Sequence, residues 1–172
     1  MVLVEPEIPN NTGNIGRTCV ATGCALHLVR PLGFDTSEKA CRRAGLDYWP
    51  RLGVREHDSL DEFLARHAPS PDRLWLFSTH ARRVYFDAPF RPGDALIFGS
   101  ETRGLGRAVL DRFPERTLVM PMVPGERSLN LATAVCAVVY EGVRRCVAEG
   151  TAAVDTNGRL ILPGAGETVR EV

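Results

Sequence analysis

The chain has 172 residues, 44% of them hydrophobic, and its 21 basic side chains balance 21 acidic ones. The length predicts one globular domain, and zero net charge argues against a broadly basic surface that binds nucleic acid without specificity. No apolar run approaches the length of a membrane span, and the N-terminus lacks the basic region of a signal peptide. We therefore expect a cytoplasmic protein with no membrane partner.

The cysteines and basic residues narrow the chemistry further. The five cysteines are odd in number and form no C-x-x-C pair, so neither a disulfide framework nor a zinc site is expected. No His/Cys/Asp cluster suits another ion, and the sequence predicts no metal. Lys39 is the only lysine. Arginine forks suit phosphate groups, although a codon bias toward arginine explains the same composition.

In chain order, short apolar runs alternate with segments of helical periodicity. The runs predict strands at 1–5, 25–29, 51–56, 74–78, 95–98 and 117–120. Helices are predicted at 13–22 with Thr12 as N-cap, 37–44, 59–67 with Ser59 as N-cap, 107–112, and 128–145 with Ser128 as N-cap. This alternation predicts an α/β fold with a mostly parallel sheet and helices on both faces. Residues 1–146 form the predicted domain, and 147–172 a C-terminal extension that is either flexible or related to expression of the protein.

Polar loops follow three of the predicted strands. They are N-T-G-N-I-G-R at 11–17, F-G-S-E-T-R-G-L-G at 98–106, and P-M-V-P-G-E-R-S-L-N at 121–130. The carboxyl ends of parallel strands lie at one edge of a sheet, where ligands bind in open α/β folds. The three loops can therefore form one site.

Each loop alone has an ordinary structural explanation. The first loop can be a turn plus a helix cap, and Glu101 can cap the helix that follows it. In a functional reading, amides at a helix start bind an anion and Arg17 adds a positive fork. A solvated loop explains any one of Arg127, Ser128 and Asn130. It explains the group less well, because Asn130 falls in the first turn of the predicted helix, where Asn is a poor helix former. The second loop matches neither the Walker A nor the G-x-G-x-x-G pattern.

Together, the motifs resemble those of the SPOUT RNA methyltransferases, most closely the TrmL type, which methylates the ribose of tRNA nucleotide 34. The matching segments are E-P-E-I-P-x-N-T-G-N-I-x-R at 5–17, A-G-L-D-Y at 44–48, F-G-x-E-T-R-G-L at 98–105, and P-M-V-P-x-x-R-S-L-N-L with V-V-Y-E at 121–141. They occur in the family's order over residues 2–145. Gly16 and Ser100 depart from the pattern, which often has a larger apolar residue and a proline at these positions.

The resemblance implies a C-terminal trefoil knot, S-adenosyl-L-methionine as cofactor, and a homodimer that packs the first and last helices across a two-fold axis. It implies Arg17, Ser128 and Asn130 as catalytic residues. The cofactor-binding residues that it implies are Phe77, Ser78, Gly99, Glu101, Gly104, Met120, Met122, Ser128 and Leu129. We expect the anticodon region of tRNA to be held by local arginines, for which the candidates are Arg42, Arg43, Arg82, Arg83 and Arg127.

Two features of these segments predict mutational effects. The helix 128–145 is apolar beyond one stripe, which predicts two packing partners, so glutamate at Val135 or Val138 should split or unfold the dimer. Gly99 permits close approach of a flat ligand, so Gly99→Val should block the cofactor pocket and leave the fold largely intact.

The predicted function is S-adenosylmethionine-dependent methylation of the ribose 2′-hydroxyl of the wobble nucleotide 34 in tRNA. Two alternatives stay open: the same chemistry at another tRNA or rRNA position, and a non-catalytic RNA- or nucleotide-binding α/β module. A pure binding module has no evident need for Arg17 together with Ser128 and Asn130.

Overall fold

The computed structural model describes residues 1–43, 45–68 and 70–162, apart from the side chains of residues 38, 39 and 42. Its main sheet comprises β1 (Val2–Val4), β2 (His27–Val29), β3 (Arg55–His57), β4 (Leu74–Phe77), β5 (Arg83–Val84), β6 (Ala95–Phe98) and β7 (Thr117–Val119). The α-helices are α1 (Pro9–Thr22), α2 (Glu38–Arg43), α3 (Trp49–Leu52), α4 (Leu60–Arg66), α5 (Arg107–Arg112) and α6 (Leu131–Ala148). A hairpin of β8 (Ala153–Val154) and β9 (Leu160–Ile161) follows.

Neighbouring strands of the main sheet all run parallel, in the order β3-β2-β1-β6-β4-β7-β5, which confirms the predicted sheet. The strand expected at 51–56 is displaced. Trp49–Leu52 is instead a short helix, which ends at Gly53 with a φ of 58°. Trp49 and Leu52 pack against Gly16 of α1, and this tertiary contact overrides the weak strand pattern.

Side chains of the strands alternate between two hydrophobic cores, one on each face of the sheet. On one face, Leu3, Leu28 and Trp75 pack in the core that α1 and α6 complete. On the other face, Val2, which precedes Leu3, and Val29, which follows Leu28, pack in the core that α4 and α5 complete. Because successive strand residues point to opposite faces, this alternation places helices on both sides of the sheet, as predicted.

Helix α1 begins before the predicted start at residue 13. Pro9 lies in its first turn, where a missing N–H is tolerated, and Ile8 is the N-cap without a side-chain hydrogen bond. Thr12, the predicted N-cap, is buried within the helix, and its Oγ1 has no hydrogen-bond partner among the described residues. The prediction was wrong because α1 already begins at Pro9, which places Thr12 inside the helix rather than at its cap.

Helix α6 begins at Leu131, and its N-cap is Asn130 rather than Ser128. The Asn130 Oδ1 accepts hydrogen bonds from the amides of Ala132 at 2.9 Å and Thr133 at 3.2 Å. Asparagine is among the preferred N-cap residues. Asn130 is therefore well suited to its position before the helix, and any further role has to come from its other contacts.

The inner face of α6 belongs to the chain's own core. Val135, Val138 and Val139 are at most 3% exposed and pack in the same core as α1. A glutamate at Val135 or Val138 would therefore unfold the chain itself, so neither position can test the expected dimer. Ala137 and Tyr140 are exposed on the outer face of the helix.

Part of the predicted extension is packed against the domain. Helix α6 runs past the predicted boundary at residue 146 and ends at Ala148. In the hairpin beyond it, Ala153 pairs with Ile161, and Leu162 lies against Gly23 at the end of α1. Residues 163–172 lie outside the described residues. Across the ranges that are described, no helix is both long and apolar enough to cross a membrane.

Three histidines cluster on one side of the sheet: the rings of His27 in β2 and His57 in β3 are stacked, and His67 meets His57 edge-on. The Nδ1 of His27 lies 2.9 Å from the Nε2 of His57, so one of these nitrogens donates a hydrogen bond and the other accepts. That requires at least one neutral ring. Burial, the N-terminal ammonium group and the neighbouring rings together lower the pKa of His27 to about 4. Burial also lowers the pKa of His57.

We expect the free energy of unfolding to fall as the pH decreases from about 7.5 to about 5. Folded His27 resists protonation until about pH 4, whereas the unfolded chain takes up the proton below about pH 6.5. Stability is thus present above pH 6.5 and is lost toward pH 4, by about 2 kcal/mol at pH 5. Urea titrations measure the loss. His27→Phe should remove most of this pH dependence, whereas the exposed His80→Phe should keep it; equal slopes would contradict the assignment.

Candidate active site

One hydrogen-bonded network joins the three polar loops at the carboxyl edge of the sheet. The Asn130 Nδ2 donates to the Asn11 Oδ1 at 2.9 Å, and the Asn11 Nδ2 donates to the Glu101 Oε1 at 3.0 Å. Asn11 is only 6% exposed, so these bonds are partly shielded from water. The predicted convergence of the loops is confirmed.

Glu101 accepts hydrogen bonds from the two backbone amides that immediately precede α1. Its Oε2 accepts a hydrogen bond from the Glu7 amide at 2.8 Å, and its Oε1 accepts one from the Ile8 amide at 3.3 Å. A carboxylate is stabilised at a helix N-terminus, both by these donors and by the helix dipole. With Asn11 as a third donor, the Glu101 carboxylate is occupied by the fold, so its direct role is to fix the start of α1.

The first and second loops are also linked through acidic residues that precede α1. The Thr102 amide and Oγ1 donate to the Glu7 carboxylate at 3.1 Å and 2.7 Å. Arg103 forms an ion pair of 2.9 Å with Glu5, whose φ of 52° lies in the left-handed region that non-glycine residues rarely adopt. Such contacts hold the chain between β1 and α1 against the second loop.

The second loop folds tightly on its own backbone. A Cβ added to Gly99 would overlap the Gly104 carbonyl and the Leu105 nitrogen. Gly104 has a φ of 63°, and its amide donates to the Ser100 carbonyl at 2.9 Å. Ser100 is buried, and its Oγ accepts a hydrogen bond from the Arg103 amide at 3.3 Å, so serine keeps the loop ordered where the family often has proline.

The other residues that the resemblance assigned to cofactor binding lie at the ends of β4 and β7 and in the third loop. Phe77 is buried, and its ring stacks on Phe98 at 4.4 Å between centroids, which forms a rigid floor under the strand ends. Ser78, Met120 and Met122 are half-buried, Ser128 is exposed, and Leu129 is 45% exposed. The third loop thus presents apolar side chains to its surroundings.

Arg17 lies on α1, one turn beyond Gly13, and is exposed. Its guanidinium carbon is 4.7 Å from the centroid of the Tyr48 ring, in a cation–π contact. Tyr48 is only 3% exposed, and burial raises the pKa of its hydroxyl while the charge of Arg17 acts in the opposite direction. The network through Asn11 ties Asn130 to the same helix that carries Arg17.

The predicted RNA-binding arginines have different environments. Arg43, Arg82, Arg83 and Arg127 are all exposed, but the contacts of Arg83 set it apart. Arg83 donates to the carbonyls of Glu115 at 3.3 Å and Asp87 at 3.4 Å, and its guanidinium lies 5.4 Å from the ring centroid of Trp75, so it stabilises the fold. The side chain of residue 42 lies outside the described part of the structure.

A cavity of about 420 Å³ lies at the opposite edge of the sheet. Its lining includes Met1, Ala25 and Asp94 at the amino ends of strands, with Leu160 and Leu162 of the C-terminal segment. It is therefore separate from the loops that hold Glu101 and Asn130. Within residues 1–43, 45–68 and 70–162, no group of three or more His, Cys, Asp or Glu residues is arranged to hold a metal ion.

Sequence reasoning overlooked two residues of this site. Asn11 is the central link of the network, and it stands in the first polar loop, where its side chain was not considered. Tyr48 lies beneath Arg17, and it ends the A-G-L-D-Y segment that carries part of the resemblance. Both residues lie within segments that match the family motifs, and this position could have identified them as candidates.

A model described as the SpoU rRNA methylase family matches residues 1–140. The chain belongs to this family. Among proteins related to this SpoU-family chain, the tRNA (cytidine(34)-2′-O)-methyltransferase of Burkholderia pseudomallei is 50% identical over 153 residues, which cover 88% of this chain and 98% of the relative.

Solved structures of SpoU-type proteins have the same fold. One, described as giving structural insights into the 2-OH methylation of C/U34 on tRNA, has a TM-score of 0.78 and 49% identity, and the match covers 86% of this chain and 95% of that one. The SpoU methyltransferase AviRb from Streptomyces viridochromogenes, in complex with the cofactor AdoMet, has a TM-score of 0.69 and 26% identity, over 86% of this chain and 60% of that one.

Proposed function

We propose that this chain methylates the ribose 2′-hydroxyl of nucleotide 34 in tRNA, with S-adenosyl-L-methionine as the methyl donor. The observation that carries the proposal is the network of Asn130, Asn11 and Glu101, which joins all three motif loops beside the helix of Arg17. The 50% identity to a tRNA (cytidine(34)-2′-O)-methyltransferase over nearly its whole length supports the choice of substrate.

The residues at the strand ends fit this cofactor. Leu129 is substantially exposed for a leucine, and with Met120 and Met122 it offers apolar surface to a flat purine. Gly99 and the loop that it closes leave backbone groups rather than side chains at the end of β6. We propose that the cofactor is held by Phe77, Ser78, Gly99, Gly104, Met120, Met122, Ser128 and Leu129, with Glu101 shaping the pocket from behind.

When bound, S-adenosylmethionine supplies an electrophilic methyl group on a sulfonium centre. The protein must then align the ribose oxygen and manage one proton. Arg17 is exposed and cationic, so it can clamp the phosphate next to the target ribose and stabilise negative charge that develops on the 2′-oxygen. The proton leaves to water or to a phosphate oxygen late in the transfer.

The amide of Asn130 acts indirectly. Its Oδ1 caps α6 and its Nδ2 is bonded to Asn11, so both ends are committed to holding the third loop against α1. Ser128 lies in the same loop with an exposed hydroxyl side chain, and we propose that it contacts the ribose or the cofactor. The catalytic set is therefore Arg17 and Ser128, with Asn130 as the residue that places them relative to each other.

The test is methylation of defined tRNA by the purified protein with isotopically labelled methyl donor, followed by mass spectrometry of the nucleosides. We expect label in a 2′-O-methylated nucleoside from position 34. A matched tRNA that carries a 2′-deoxy nucleotide only at position 34 should accept none. Label that persists in the deoxy substrate would move the target to another tRNA position, label only in rRNA would support an rRNA target, and no label in any RNA would favour a binding module.

Substrate RNA is proposed to contact the exposed arginines Arg43, Arg82 and Arg127. Because the chain as a whole has zero net charge, its overall electrostatic field does not attract RNA. A few arginine side chains must therefore bind the phosphates individually. Arg83 is not included, because its guanidinium is engaged by the fold. A tRNA substrate also implies the cytoplasm as the place of action, and the trefoil knot stays a prediction from the family resemblance.

We also propose that the active form is a homodimer. The support is the outer face of α6, where Ala137, Tyr140 and Val147 are exposed although the inner face is already buried against the chain's own core. A helix that is apolar on two faces has a second packing partner.

Ala137→Glu is expected to convert the dimer to a monomer and to lower methylation at least about 10-fold, because a buried interface tolerates an unpaired charge poorly. Analytical ultracentrifugation measures the state. Ala65→Glu is the matched control, since Ala65 is an exposed alanine on α4, across the sheet. A variant at Ala137 that remains a dimer, or an active monomer, would refute this interface.

A further inference from the structure

Tyr48 forms a buried platform under an exposed cation. The guanidinium carbon of Arg17 lies 4.7 Å above the centre of the ring, yet the tyrosine is 3% exposed and the arginine is on the surface. One face of the guanidinium is therefore covered by the ring. The arginine itself is exposed, so the rest of the guanidinium can meet an acceptor from solvent.

The platform is fixed to the same helix that carries the arginine. The Tyr48 hydroxyl donates a hydrogen bond to the Gly13 carbonyl, one turn before Arg17 on α1. A bond to that helix ties the ring position to the Arg17 backbone. Any movement of α1 therefore carries the arginine and its platform together.

Two glycines on α1 make this close approach possible. A Cβ on Gly13 would lie 3.2 Å from Leu46, and a Cβ on Gly16 would lie 3.0 Å from both Trp49 and Leu52. The segment around Tyr48 thus packs onto helix backbone, without side chains in between. Gly16, one of the two departures from the family pattern, is explained by this contact with Trp49.

We propose that Tyr48 is a positioning residue for methyl transfer, which holds the Arg17 guanidinium in the orientation that the reaction needs. This inference rests on the role proposed above for Arg17. An arginine side chain has many rotamers, and fixing it in one of them costs conformational entropy. If the fold already confines the side chain, this cost does not add to the barrier of the chemical step. The face of the ring carries negative potential, so it attracts the positively charged guanidinium. The effect should appear in the rate of the chemical step more than in tRNA affinity.

The decisive comparison is between Tyr48→Phe and Tyr48→Leu. Phenylalanine keeps the ring and loses the hydroxyl, whereas leucine removes the ring. We expect Tyr48→Leu to lower the single-turnover rate constant about 10-fold at saturating tRNA and cofactor, with tRNA and cofactor dissociation constants within about twofold of wild type. Tyr48→Phe should retain the rate within about threefold.

Leu46→Ala controls for a merely structural role of Tyr48. Leu46 packs on Gly13 in the same contact, so its truncation loosens the packing without removing the ring. It should lower the melting temperature and leave the single-turnover rate near wild type. An equal loss of rate in Leu46→Ala and Tyr48→Leu, or a wild-type rate in Tyr48→Leu, would overturn the inference.

A readout without substrate separates this inference from the proposed function. In NMR spectra of the protein alone, the Arg17 side-chain Nε–H proton should show a ring-current shift that persists in Tyr48→Phe and disappears in Tyr48→Leu. An absent shift in the wild type shows that the platform does not form. If the shift is present and Arg17→Ala still methylates normally, the proposed role of Arg17 fails. If Arg17→Ala is inactive and Tyr48→Leu is fully active, only the positioning role fails.

Discussion

Replacing Arg17 with alanine should lower methyl transfer about 10³-fold and leave S-adenosylmethionine affinity within about twofold of wild type. The size follows from the loss of a charged donor that stabilises a developing oxyanion. Cofactor affinity should survive because Arg17 lies on α1, whereas the loops proposed to hold the cofactor follow β4, β6 and β7. Calorimetry with the cofactor and single-turnover methylation of tRNA measure the two quantities separately.

Arg17→Lys distinguishes a cationic clamp from a general base. The pKa of free arginine lies far above neutral pH, so an arginine that acts as a base would have to work from its scarce neutral guanidine form. A nearby phosphate favours the charged form further. As a clamp, lysine should retain measurable activity, because a point charge replaces part of the fork. Its rate should then show no steep pH dependence beyond that of the wild type.

The base model predicts the opposite profile for the lysine variant. Lysine has a free pKa of about 10.4, so its neutral amine becomes more abundant at high pH and the rate should rise steeply toward pH ~10. Single-turnover rates of Arg17→Lys across that range decide between the two, provided that the tRNA is shown to remain intact. A steep rise absent from the wild type would reject the clamp.

Gly99→Ala should weaken the affinity for the cofactor at least about 100-fold. It should also destabilise the protein. Even one methyl group at this position would overlap the backbone of Gly104 and Leu105, which cannot move aside as a flexible side chain can. The second loop must then open, with a cost of a few kcal/mol. The sequence alone predicted that Gly99→Val would block the pocket and leave the fold largely intact. The structure instead predicts a loss of stability, because the added side chain clashes with the loop itself even when no ligand is bound.

Gly106→Ala is the matched control for this prediction. Gly106 is the N-cap of α5 with a φ of −59°, and a Cβ there meets nothing within 4 Å. That variant should bind the cofactor normally and melt near the wild-type temperature. Normal binding in Gly99→Ala, measured by calorimetry beside this control, would show that the loop does not need the close approach.

Much of the fold was predictable because its signals are local. Buried strands such as 95–98 are short apolar runs, and α5 has the predicted bounds, since each depends on residues next to one another. One mispredicted helix start involves a distant partner. Thr12 has the chemistry of an N-cap, but α1 begins at Pro9, and the Glu7 and Ile8 amides just before it donate to Glu101, which is remote in sequence.

The candidate site shows the same division. Arg17 and Ser128 were identifiable from the motifs as exposed polar residues near strand ends. The structural duty of Glu101 was not, because a carboxylate in a glycine-rich loop has the same sequence signature whether it faces a ligand or a helix end. The burial of Val135 and Val138 in the chain's own core was also not predictable. When a helix is apolar on two faces, its sequence does not indicate which face packs against its own chain.

The link from Asn130 through Asn11 to Glu101 has a consequence for the order in which activity is acquired. Its members come from the beginning, the middle and the last third of the described chain, so no N-terminal fragment that ends before residue 130 contains all three. The Glu7 and Ile8 amides should therefore exchange their hydrogens as part of a late, cooperative folding unit rather than with their local strand. A nascent chain would become competent only after its final long helix has docked, which keeps incomplete chains from acting on RNA.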